Sequence, residues 1–183
     1  MKKSAITLLG GALALTSLNA AAISLSGSVA DNAQSVQLSQ SLMPGWSTGI
    51  GYFNSDDSGR NAKAWSGQLM FSPWLPGVDL SLGGRYQYLD SDYGDGGGLG
   101  LGGSAYVDTP IPLVSVGGYG FYTPSGLTHG DIDSSRELGA RARAQFIPGL
   151  QGFVGYRYYR VDFDNHDDRT LFSGPELGVS FGF

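Results

Sequence analysis

The residues best suited to chemistry are charged side chains set among small and apolar neighbours. Arg85, Arg141, Arg143 and Arg157 each lie where apolar and polar residues alternate, and Asp79, Asp108, Glu137 and Glu176 share that setting. Alternation is the mark of a strand, whose successive side chains point to opposite faces. Arg141 and Arg143 are two residues apart, so they share one face, opposite Ala140, Ala142 and Ala144. Arg157, bracketed by Tyr156 and Tyr158, falls on the same side of its own strand. Guanidiniums gathered on one face, with Glu137, Glu176, Asp79 or Asp108 beside them, make either a salt-bridged plug or a narrow, charge-selective constriction. The plug is the simpler reading, because enclosed like charges need carboxylates or water between them.

A second constellation lies in the polar stretches between strands. His129 is near Ser125, Asp131 and Ser134, and His166 is flanked by Asp164 and Asp167. A histidine base oriented by a carboxylate is the arrangement of a hydrolase, and the groups need only converge in space. So many loop aspartates place one near a histidine by chance, so no catalytic residue is assigned. The alternative reading is a surface-exposed barrel hydrolase, a protease or lipid deacylase, using these His, Asp and Ser residues. Asp56, Asp57, Asp90, Asp92, Asp95, Asp131, Asp133 and Asp168 make the same stretches acidic. The run from Asp90 to Gly96 superficially suggests a calcium loop, but it lacks the ligand spacing and closing Glu of an EF-hand. Solvated, turn-rich loops are expected, with no cofactor and no assigned metal site.

The elements that must position these groups are short strands joined by Pro-containing turns. Met43-Pro44-Gly45-Trp46, Pro73-Trp74-Leu75-Pro76-Gly77, Thr109-Pro110-Ile111-Pro112 and Ile147-Pro148-Gly149-Leu150 punctuate the chain. Pro fixes φ and Gly accepts positive φ, which suits tight turns. Each interval between them splits around an Asp-rich centre, so tight turns are expected at one rim and longer loops at the other. Four turns bound five hairpins, which predicts an all-β, antiparallel, up-and-down transmembrane barrel of about ten strands, with eight as the alternative. Leu25, Val36, Leu82, Leu138 and Val154 belong to the outward apolar face, and Ser, Gly, Gln and Arg to the inner one. Such an inner face makes a poor dry core but a good wet lumen. The stretch from Leu113 to Tyr122 is ambiguous; Val114, Val116 and Tyr122 are assigned outward.

The last strand is the clearest. Leu177, Val179, Phe181 and Phe183 alternate with Glu176, Gly178, Ser180 and Gly182 up to the final residue. Glu176, Gly178, Phe181 and Phe183 fit the assembly signal of outer-membrane barrels, whose last strand pairs with the first because lipid cannot solvate an open edge. At the other end, Lys2 and Lys3, an apolar run from Ala5 to Leu18, and Ala20-Ala21-Ala22 form a signal peptide over residues 1–22, leaving 23–183 as the barrel. The chain has no cysteine, 30 Gly, 10 Tyr and 9 Phe, and a net charge of −5, which argues against nucleic-acid binding.

Several of these stretches resemble one family. Ala21-Ala22-Ile23-Ser24, Gly155-Tyr156-Arg157-Tyr158, and Gly174-Pro175 followed by Leu177-Gly178-Val179-Ser180 and a terminal Phe183 are similar to the YfaZ family of predicted outer-membrane proteins. The resemblance implies the fold and the cell outer membrane, and no particular activity. A structural barrel or a narrow channel for ions or small solutes is therefore expected. Its expected partners are outer-membrane lipid and lipopolysaccharide, periplasmic chaperones and the barrel-assembly machinery.

Overall fold

The computed structural model describes residues 22–57, 60–92, 94–163 and 166–183. Residues 1–21, which hold nearly all of the expected signal peptide, lie outside the described residues, as do Tyr93 and Asp164 and the side chains of Asp57, His166 and Asp167. Ten strands form the barrel: β1 (Ile23–Ala30), β2 (Ala33–Met43), β3 (Trp46–Asp57), β4 (Arg60–Phe71), β5 (Val78–Ser91), β6 (Gly94–Asp108), β7 (Val114–Thr123), β8 (Ile132–Ile147), β9 (Leu150–Phe163) and β10 (His166–Gly182). Each pairs antiparallel with the next, and β10 returns to β1 in a register running from Ser24 opposite Gly182 to Ala30 opposite Glu176. The sheet therefore closes on itself. Closure holds to the end of the chain, where the Phe183 amide donates to the Ile23 carbonyl at 2.8 Å.

One rim carries the termini and the Pro-containing turns. Gly45, Gly77 and Gly149 adopt φ of 79°, 72° and 84° there, as tight turns require. The fourth turn has no Gly at that position, so Leu113 takes φ 66° instead. At the opposite rim the expectation of longer loops needs correction. Strands run through most of the Asp-rich centres; β5 ends at Ser91 and β6 begins at Gly94. Among the described residues, only the link from β7 to β8 is a loop of any length. It makes a 3-10 turn (Ser125–Leu127), and its Thr128–Gly130 segment pairs with Gly96–Gly98.

The strands continue because their alternation continues with its sense reversed. Over the half nearer the termini, each strand presents an exposed apolar residue outward: Leu25, Val36, Ile50, Leu69, Leu82, Leu101, Val116, Leu138, Val154 and Val179. The ambiguous β7 follows the assigned parity, with Val116 and Tyr122 exposed. Beyond this band Lys63, Asp90, Asp95 and Arg136 are the outward, exposed residues. There the interior is apolar: Leu89 and Val161 are 0% exposed, and they pack with Ala62, Ala64, Ile132 and Phe163. One end of the barrel is built for lipid and the other like a water-soluble barrel.

The apolar end is narrow. Ser55 on β3 donates to the Leu171 carbonyl on β10 at 2.9 Å, although β3 and β10 are not neighbouring strands. Tyr159 on β9 meets the Phe53 ring edge-on at 5.5 Å and accepts a hydrogen bond from Gln87 on β5. A bulge between Thr170 and Phe172 turns both Leu171 and Phe172 into the interior, thickening the filling.

This packing predicts that Leu89→Ala destabilises the barrel by about 2–5 kcal/mol. Leu101→Ala, on the lipid-facing band, should lose clearly less. Urea unfolding of the protein reconstituted in phospholipid vesicles compares the two, and an equal or reversed loss contradicts the filled interior.

Candidate functional site

Strand parity carries the charged residues inward at the level where the apolar filling ends. Arg85 comes from β5, Tyr119 from β7, Glu137 and Arg141 from β8, Arg157 from β9 and Glu176 from β10. Their meeting depends on gaps in the neighbouring strands. Arg141 and Glu176 lie on either side of Gly155 in the register, and their side chains meet across it at 2.6 Å. A Cβ on Gly155 would come within 2.8 Å of the Arg141 side chain. Arg157 is flanked in the same way by Gly139 and Gly174. Gly139 also leaves room for the Tyr119 ring, which a Cβ there would overlap.

The result is one connected layer. Arg85 binds Glu137 at 2.6 Å, and Arg157 lies 3.4 Å from both Glu137 and Glu176. The Tyr119 hydroxyl accepts from Arg157 at 2.7 Å and donates to Glu137 at 3.2 Å. Ser28 donates to Glu176 at 3.3 Å. Glu176 has a side chain only 1% exposed, so its charge depends wholly on these partners. Aromatic faces cover the guanidiniums: Arg85 sits 4.1 Å from the Phe121 ring, and Arg141 sits 4.5 Å from Tyr119 and 4.4 Å from Phe153.

Arg143 stands apart from that layer, nearer the termini. It binds Asp79 at 3.0 Å and lies 3.2 Å over the Tyr106 ring, while its Nε is buried with no hydrogen-bond partner among the described residues. Asp108, expected among the lumen carboxylates, is exposed at the rim where β6 ends, and the described residues show no ion pair to it. Its parity points inward, but it lies beyond the enclosed part of the strand.

The residues expected to form an assembly signal divide by parity. Phe181 and Phe183 are exposed and meet edge-on at 4.5 Å, whereas Glu176 belongs to the charged layer. Gly178 lies under the Phe153 ring, which a Cβ would strike, so it also supports the aromatic cover over Arg141.

The histidine constellation does not come together among the described residues. His129 Nε2 is 2.8 Å from the Tyr86 hydroxyl, and its ring stacks on that tyrosine outside the barrel. Ser134 donates instead to Asp162 at 2.8 Å, and Asp131 accepts from the Asp95 amide at 3.3 Å. Sequence reasoning missed the inward aromatics Tyr106, Tyr119, Phe121, Phe153 and Tyr159. Their signal was parity with Ser104 on β6, with Ser115 and Gly117 on β7 and with Arg157 on β9.

A family model described as YfaZ precursor matches residues 1–183, the whole chain. The chain belongs to the YfaZ family. No curated protein matches it in sequence. Among solved structures, this YfaZ-family barrel is similar to a bacterial polysaccharide outer-membrane secretin, at 14% identity over 88% of this chain and 69% of that one, with a TM-score of 0.47. It is also similar to the KdgM porin in complex with disordered oligogalacturonate, at 10% identity over 88% and 99% and a TM-score of 0.43. Neisserial surface protein A matches at 11% identity over 89% and 94%, with a TM-score of 0.42. A closed barrel with an apolar outer band and charged groups inside makes this YfaZ-family chain an outer-membrane β-barrel.

The layer predicts an asymmetry between its acids. Glu176→Ala removes an acceptor from both Arg141 and Arg157 and should cost about 3–5 kcal/mol of stability. Asp108→Asn should stay within about 0.5 kcal/mol. Equilibrium unfolding in urea reads both, and similar losses would show that the layer does not hold the barrel together.

Proposed function

We propose that the protein is a closed outer-membrane barrel, with a structural role rather than that of an open channel. The observation that carries this reading is the double filling of the lumen, in which the charged layer is backed by the packed apolar end around Leu89 and Val161. A solute leaving the Ser- and Gln-lined half would have to pass beside the charged layer and then cross the packed apolar end. On this reading the rim bearing the termini faces the periplasm, and the strand extensions stand outside the membrane beside lipopolysaccharide. Residues 1–22 direct export and are removed. Periplasmic chaperones and the barrel-assembly machinery then receive the chain, with the exposed Phe181 and Phe183 edge as the recognised face.

Planar-bilayer recording tests the closure. The wild-type protein should give no stepwise conductance. Arg141→Ala combined with Arg143→Ala should also stay closed, because the apolar end remains intact. Adding Leu89→Gly and Val161→Gly to that double variant should open steps. Stepwise current through the wild type would sink the reading.

The assembly role has its own test. Deleting Phe183, or Phe183→Asp, should leave the chain as periplasmic aggregate or degradation product. Recovery of heat-modifiable barrel from the outer-membrane fraction at wild-type amount would remove the proposed role of that edge.

A further inference from the structure

Between the charged layer and the termini rim the lumen is not filled. A cavity of about 460 Å³ remains, running from Ile23, Ser41, Ser47 and Gly182 at the rim, past the arginines on one wall, to Phe53, Ala64 and Tyr159 at the apolar end. That is within the size range of small-molecule sites. Its charged lining is one-sided: Arg85, Arg141, Arg143 and Arg157 face it, with Glu137 as the one acid among the described lining residues.

The charge count within the layer points the same way. Among the described residues, Arg85, Arg141 and Arg157 are matched by only Glu137 and Glu176, and Arg157 is shared between the two acids. Arg143 adds another guanidinium, whose partner Asp79 has a side chain 61% exposed at the mouth. The Arg143 Nε is closed off from solvent with no acceptor among the described residues, so Asp79 alone does not satisfy this guanidinium. An enclosed region short of one negative charge, bordering an open cavity, is a place for an anion.

We propose that this cavity binds a small carboxylate-bearing, hydroxylated solute, a sugar acid in chemical class, with Arg143 as its principal carboxylate contact. A single missing charge matches one carboxylate better than a doubly charged phosphate. The guanidinium fork suits a carboxylate in two-point contact. The remaining walls, Ser and Gln side chains such as Ser39, Ser66 and Gln68, offer both donors and acceptors to hydroxyl groups. The closed-barrel reading is needed only to make the solute enter and leave by the same mouth.

Isothermal titration of the purified protein in detergent micelles tests the site, with glucuronate as the probe and glucose and glucose 6-phosphate as comparators. Saturable binding of glucuronate is expected, none of glucose, and weaker binding of the phosphate. Arg143→Gln should weaken glucuronate at least about tenfold, while Arg136→Gln, on the exposed outer face, should leave it unchanged. A heat-modifiable gel shift establishes that each variant is folded. Should Arg143→Gln fail to fold, Ser66→Phe fills the cavity away from the ion pairs and should abolish binding. No binding of glucuronate to folded protein, equal binding of glucose, or affinity indifferent to both Arg143→Gln and Ser66→Phe overturns the proposal. Saturable binding together with stepwise bilayer current would keep the site and discard only the closed barrel.

Discussion

A β-strand sends alternate side chains to opposite faces, and in this molecule the two faces exchange environments along each strand. Near the termini the outer face meets lipid, where an arginine near the midplane would cost about 2–4 kcal/mol. Every guanidinium of that region is therefore driven inward. Farther along, the same strands leave the band of exposed apolar residues, and the outer face becomes polar, as at Lys63 and Arg136. The inner face no longer has to take the polar residues, so it closes over Leu89, Val161 and Phe163. The charged layer sits at the crossing between the two regimes. Its place in the lumen follows from where the outer surface changes from lipid-facing to polar.

Placing charges at that crossing requires satisfaction inside a narrow barrel. A buried carboxylate such as Glu176 gives up its hydration, and only close, well-directed partners offset that cost. The sheet supplies them through register. Arg141, Gly155 and Glu176 lie side by side on three strands, as do Gly139, Arg157 and Gly174. In each row the glycines leave the space that the long side chains cross. A shift of β9 by one residue would put Tyr156 and Tyr158 into the lumen and Arg157 into lipid. The ion pairs thus specify the pairing of β8, β9 and β10 more than they add to stability, since a well-packed apolar interior of equal volume would be no less stable.

Much of this was legible in the chain. The period-2 pattern located the strands, the Pro-Gly turns marked one rim, and parity turned Arg85, Arg141, Arg143 and Arg157 inward. These are local properties, fixed by a residue and its immediate neighbours. Which acid meets which arginine is not local. Glu137 and Glu176 reach the layer because of the stagger between strands, while Asp108 has the right parity but ends at the rim. The extension of the strands through the Asp-rich centres was hidden for a different reason. Aspartate and glycine disfavour strands intrinsically, and Asp90 opposite Asp95, flanked by Leu89 and Gly96, is held in the sheet by the apolar filling behind it. The inward aromatics were obscured because aromatics near strand ends are expected in the outer girdles of a membrane barrel.

The two halves of the lumen wall also differ around its circumference. β1 to β4 present mainly Ser, Gly and Gln at the level where β5, β8, β9 and β10 present the arginines and glutamates. Short side chains on one wall leave the cavity open, and long charged chains on the other reach across without filling it. Were the sole requirement a sealed barrel, apolar side chains continuing down from Leu89 and Val161 would fill this volume at lower cost in desolvation. The polar wall and the guanidiniums make the lining of this space polar and cationic on the side of the termini. The lumen is thus asymmetric along its axis, packed with apolar side chains at one end and lined by polar and cationic ones at the other, and that asymmetry arises from the same strand parity that puts the barrel in lipid.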